Sequence, residues 1–209
     1  MKKFYFTLGL FICLSLPAAS QEELYQFTHA YFRSDPFNGE FSSFLDHLLK
    51  DPTIKEKKMR LRTDTSLFYF YGWYTNYNPF FFRPARVEVS LEEVPVQYVD
   101  SLPGDTLLIY QLTAYAEPGE KGLKEVIKEF EKIHRKYNRR FFDSNYKEFD
   151  KNSNLTGAIH NYFVAFHGLA PLSVAWGNTE RGKEPALNIT LRMKTSENRT
   201  VLPVPLYHP

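Results

Sequence analysis

Leu67-Phe68-Tyr69-Phe70-Tyr71-Gly72-Trp73-Tyr74 is the stretch on which the fold turns. Rings on consecutive positions argue for a strand, because successive side chains point to opposite faces and large rings fit a pleated surface. Phe68, Phe70 and, past Gly72, Tyr74 then line one face, while Tyr69, Tyr71 and Trp73 line the other. Each face needs a covering or must suit water. If helices cover one and a later group of strands covers the other, the rings are explained by two-sided burial alone, which is the simpler reading. If the tyrosine and tryptophan face is open instead, flat rings with polar tips suit sugars, peptides or a partner protein.

Outward from this strand the pattern stays extended. Asn76-Tyr77-Asn78-Pro79 reads as a turn. Residues 86–91 alternate Val87, Val89 and Leu91 with Arg86, Glu88 and Ser90, and residues 94–99 continue or pair with them. Leu102-Pro103-Gly104-Asp105 turns the chain into a strand over 106–116, completing an antiparallel meander. Short apolar or alternating runs at 158–166, 172–176, 186–193 and 200–206 predict further strands, with a hairpin tip at 195–198. Pro203 and Pro205 place the last of them on a sheet edge.

Three helices are predicted. Leu24, Phe27, Tyr31 and Phe32 give the first and Phe41, Phe44, Leu45, Leu48 and Leu49 the second. Leu123, Val126, Ile127, Phe130, Ile133 and Tyr137 form one stripe of a helix over 121–139. Lys132, His134, Arg135, Lys136, Arg139 and Arg140 crowd its end, where cations suit the helix dipole. Residues 55–62 read as a basic connector and the region of Ser144 to Lys147 as a solvent-facing loop. Helices set apart from consecutive strands predict an α+β fold, with antiparallel sheet packed against about three helices in a single domain over 21–209. No internal repeat is visible.

The N-terminus has the order of an export signal: Lys2-Lys3, an apolar run over 4–16, then Ala18 and Ser20 at the −3 and −1 positions of a cut before Gln21. The run is too short for a membrane span. Removing residues 1–20 of the 209 leaves 189, without Cys13, the one cysteine. Of 26 Lys and Arg, Lys2 and Lys3 go with it, leaving 24 against 24 Asp and Glu. The expected mature chain therefore has no thiol chemistry, no transmembrane anchor and no net field for nucleic acid. The expected compartment is a bacterial periplasm, cell surface or medium. Three Asn-x-Thr triplets, at Asn154, Asn188 and Asn198, would suit a eukaryotic secreted protein instead.

Catalytic motifs are sparse. Ser144 and Lys147 match S-x-x-K, and Lys194-Thr195-Ser196 resembles a K-T-G strand, but the element between them is missing. His160 and His167 are seven apart and His29 and His47 lie in helices, so no metal-ligand spacing emerges. Glu88, Glu92, Glu93 and Glu117 are the carboxylates near the meander, read as solvated strand charges. No cofactor is implied and no catalytic residue is nominated. The leading expectation is an exported, non-enzymatic interaction protein that meets a protein or glycan partner through Tyr69, Tyr71, Trp73, Tyr74, Arg135 and Arg139. A small hydrolase assembled only in the fold, or a periplasmic immunity protein, are the alternatives.

Overall fold

A computed structural model describes residues 22–37, 40–61, 67–95, 106–138, 141–150, 152–163, 170–178, 184–195 and 201–203. The expected signal peptide and its cleavage junction lie outside the described residues, as do Arg139, Arg140, His167, Pro205, the turn at 102–105 and most of the hairpin tip at 195–198. The elements run α1 (22–31), α2 (Phe41–Lys50), β1 (Ile54–Arg60), β2 (Tyr69–Tyr74), β3 (Arg86–Pro95), β4 (Thr106–Tyr115), α3 (Glu120–Tyr137), β5 (Phe142–Phe149), β6 (Leu155–Phe163), β7 (Leu172–Asn178), β8 (Pro185–Thr195) and β9 (Val201–Pro203). The fold is α+β and mostly sheet. Among the described residues no helix is long and apolar enough to cross a membrane.

All the strands join one antiparallel sheet in the order β1-β2-β3-β4-β8-β7-β6-β5, with β9 paired to the far end of β8. Two four-stranded meanders meet where β4 pairs with β8 along its whole length, from Thr106 opposite Thr195 to Tyr115 opposite Ala186. Each meander follows helical structure, so the backbone repeats a topology that the residues do not. The later strands thus extend the sheet edge to edge. They do not stack on β2, which corrects the expectation of two-sided burial. The physical reason lies in β8: Leu187, Ile189, Leu191 and Met193 are buried on one side, while Asn188, Thr190, Arg192 and Lys194 alternate with them. Because β8 pairs edge to edge with β4 and turns its one apolar face to the helix layer, it has no second apolar face to lay over β2.

The helices pack on the apolar face. Phe27 of α1 meets Tyr137 of α3, Phe32 and Phe44 close on Tyr110 of β4, and Phe41 of α2 meets Phe68 edge-on. Tyr110 is fully buried at the centre of this layer. In α3 the expected stripe faces inward through Val126, Phe130, Ile133 and Tyr137. That helix starts at Gly119, whose φ of 107° is open to glycine and strained for other residues.

Residues 55–60, expected as a connector, belong to edge strand β1, and the Ser144–Lys147 region is the opposite edge, β5. Charged edges are a common protection against pairing with other chains. β1 carries a bulge between Lys55 and Lys58, with Glu56 at φ 50°. The bulge lets the Lys57 ammonium donate to the carbonyls of Leu49 and of Asp51, the latter at 2.8 Å, closing the end of α2. Ile54 folds over Gly72 so closely that a Cβ on Gly72 would collide with its side chain.

Candidate functional site

The face of the sheet away from the helices carries a groove of about 730 Å³ across β1, β2, β3, β4 and β8. Strand register builds it. Tyr71 pairs with Ser90, Trp73 with Glu88, Glu88 with Thr113 and Thr113 with Asn188, so side chains of one parity gather on this side. Glu88 is its centre. Its Oε1 accepts the Tyr71 hydroxyl at 2.6 Å and the Arg86 Nε at 2.9 Å, and its Oε2 accepts the Tyr115 hydroxyl at 2.8 Å. The Arg86 guanidinium also sits 4.4 Å above the centre of the Tyr115 ring and 3.8 Å from Glu184 Oε2.

Beside this cluster lies a neutral one. Thr113 donates to Asn188 Oδ1 at 2.7 Å, and the Gln111 amide donates to the same oxygen at 3.1 Å and to the Thr113 hydroxyl at 3.2 Å. Those bonds use the Asn188 oxygen and the Gln111 nitrogen, leaving the Asn188 amide donors and the Gln111 carbonyl unconsumed by them. A smaller concavity of about 150 Å³ continues the groove over Gly157, Ala175, Gly177 and Ala186 toward Tyr146 of β5. Small residues on the middle strands keep its floor low.

The phenols here are fixed as proton donors. Burial and the bond to Glu88 push Tyr115 up to about 12. Burial first, then Glu88, hold Tyr71 above the ordinary tyrosine range as well, and burial with the charge of Glu92 raises Tyr69.

Tyr69, Tyr71 and Trp73 stand half-exposed on this open face. Tyr74 does not join them: it is 4% exposed on the helix side, against Tyr77. Arg135 is exposed on α3, its Nε donating to the Glu131 carbonyl at 3.3 Å, on the opposite side of the sheet from the groove. The four carboxylates divide as well. Glu93, expected as a solvated charge, is 1% exposed on the helix side, where its Oε1 accepts the Thr106 hydroxyl at 2.8 Å. Ser144 and Lys147 pair with Asn161 and Ala158 on a strand, so three residues of separation send them to opposite faces. The lysine is thereby turned away from the serine.

On the helix side, His134 and His160 stack with ring centres 3.8 Å apart beside Asp143. Burial first, then the charge of His134, lowers the pKa of His160 and favours its neutral form. Comparison with family models, curated proteins and solved structures found no match to this chain.

Proposed function

We propose that the chain is an exported binding protein whose open sheet face takes an uncharged glycan. The observation that carries this reading is the groove around Glu88: a built hydrogen-bonding floor, flanked by tyrosine rings, on the face of the sheet that no helix among the described residues covers. Its volume falls in the range of about 300–1,000 Å³ common for small-ligand sites. Glu56, Glu88 and Glu184 against Lys58 and Arg86 nearly balance in charge, which suits a neutral ligand more than a phosphate or a polyanion.

A sugar presents hydroxyls at its edge and C–H groups on its faces. Carboxylate, amide and phenol groups serve the first, and aromatic rings serve the second. A protein partner would call for an apolar centre inside a polar rim, and here the centre is polar. The export half of the proposal rests on the charged, apolar and small-residue order of residues 1–20.

Screening the purified protein against immobilised neutral oligosaccharides tests the reading. Binding should fall at least about tenfold in Tyr71→Ala and in Trp73→Ala, the range expected for loss of one buried aromatic contact. Circular dichroism establishes that each variant is folded. Unchanged binding in both folded variants would remove the open face from consideration, and an intact Met1 in material recovered outside the cytoplasm would refute cleavage.

A further inference from the structure

The last turn of α3 and the β5–β6 hairpin bring together three side chains that have no common motif: His134, Asp143 and His160. His134 Nδ1 lies 3.9 Å and His160 Nδ1 3.8 Å from the same oxygen, Asp143 Oδ2. The two imidazoles are parallel within 9°, and Phe130 stacks on His160 with centres 4.8 Å apart. Both Nδ1 atoms are buried, and among the described residues neither has a hydrogen-bond partner. Two ring nitrogens aimed at one carboxylate, none bonded to another, is a costly arrangement for polar atoms left to themselves.

We propose that these three groups bind a divalent transition-metal ion of the zinc class, through His134 Nδ1, His160 Nδ1 and the Asp143 carboxylate. Two imidazoles and one carboxylate are the borderline donor set that such ions prefer. Calcium and magnesium seek oxygen alone. All the ligand atoms lie within 4.8 Å of one another. Zinc–ligand bonds of about 2.0–2.2 Å place tetrahedral ligand pairs roughly 3.3–3.5 Å apart, so the two His–Asp separations of 3.9 and 3.8 Å must shorten by about half an ångström, and the parallel rings must turn apart by tens of degrees for both in-plane Nδ1 lone pairs to meet one ion. Asp143 gives the way in, since its side chain is 28% exposed and borders water. Glu131 adds a second negative charge near His160, and Lys147 a positive one. Bound there, the ion would fasten the end of α3 to the outermost strands of the sheet, and it would leave at least one coordination position to water.

Calorimetric titration of the untagged, EDTA-treated full chain with zinc sulfate tests the site, with cobalt(II) as an optical probe. The expected result is one zinc per chain with a dissociation constant in the micromolar range or tighter, and visible cobalt absorption of a four-coordinate site. Asp143→Asn and His134→Gln, both at solvent-accessible positions, should weaken zinc by about 100-fold or more, above the usual loss for a group that only supports a ligand. Histidine nitrogen NMR should show the Nδ1 signals of His134 and His160 shifting together on zinc addition. His160→Ala is buried and serves only alongside these two variants. No stoichiometric zinc binding tighter than about 100 µM, or undiminished binding in folded Asp143→Asn and His134→Gln, would overturn the proposal.

Discussion

Replacing Glu88 by alanine takes away the single acceptor shared by Tyr71, Tyr115 and Arg86. The Arg86 pair contributes little, because the arginine side chain is 42% exposed and surface ion pairs give about 0–1 kcal/mol. The two phenols matter more. A hydrogen bond to a charged group is worth about 1.5–3 kcal/mol, and the open groove lets water restore part of that, so each loss is set near 1 kcal/mol. Glu88→Ala should therefore cost about 2 kcal/mol in urea unfolding at unchanged m-value, and Glu88→Gln about half as much, because the amide keeps one acceptor. Tyrosine ionisation gives an independent reading. With Tyr115 near 12, about a tenth of its phenol is ionised at pH 11. Either substitution should raise that fraction in ring-labelled NMR, although Tyr115 stays above the ordinary tyrosine value because burial is the larger cause. A folded Glu88→Ala protein within about 0.5 kcal/mol of the parent, with Tyr115 titrating as before, would refute the view that Glu88 organises the groove.

Gly72→Ala should cost about 1–3 kcal/mol in the same assay, since the new methyl meets Ile54 and the Lys55 carbonyl, and Ile54→Ala made with it should recover part of the loss. Tyr162→Phe removes a buried hydroxyl without a hydrogen-bond partner among the described residues, so the melting temperature should hold or rise, and a loss above about 1 kcal/mol would contradict that placement. Burial raises the Glu129 carboxyl above the ordinary glutamate value, against the pull of the Phe81 N–H and Lys132. The native state therefore holds this proton to higher pH than the unfolded chain, and stability falls as pH rises from about 4.5 through the raised native value. Glu129→Gln should match the parent near pH 3.5 and exceed it in urea unfolding at pH 7, and a less stable variant at pH 7 would reverse the sign.

Legibility in the sequence followed burial. β2, β3 and α3 announced themselves because each buries one side: Phe70 and Tyr74, Val87 and Val89, Val126 and Phe130 recur at the strand or helix period. β1 buries Ile54 alone, and β5 is exposed from Asp143 to Phe149, so neither edge strand left an alternating trace. Alternation in β2 also told which residues share a side but not what covers it, and parity alone would have struck Tyr74 from the candidate surface. The clue to the cover was in β8, whose Asn188, Thr190, Arg192 and Lys194 require a wet face on a central strand. Glu88 was noticed, yet its partners lie 17 and 27 residues away and meet it through strand register. His134 looked like a helix-end cation, and Asp143 carried no signal at all; only the packing of α3 against a hairpin that the sequence did not reveal joins them to His160.

The composition of the open face differs from that of a face that needs only to be wet, and this supports the proposed binding role. A sheet face that needs only to be wet can carry long charges that hydrate independently, as β1 does with Lys55, Lys58 and Arg60. Toward the middle of the sheet the choice is different. Gln111, Thr113 and Asn188 are short, neutral and bonded to one another, and Glu88 is held by two phenols and a guanidinium. Such bonds give up hydration and side-chain freedom for little net stability, as the modest value of a solvent-accessible hydrogen bond implies. What they do secure is a fixed arrangement of donors and acceptors, which would lower the ordering cost of binding the proposed glycan.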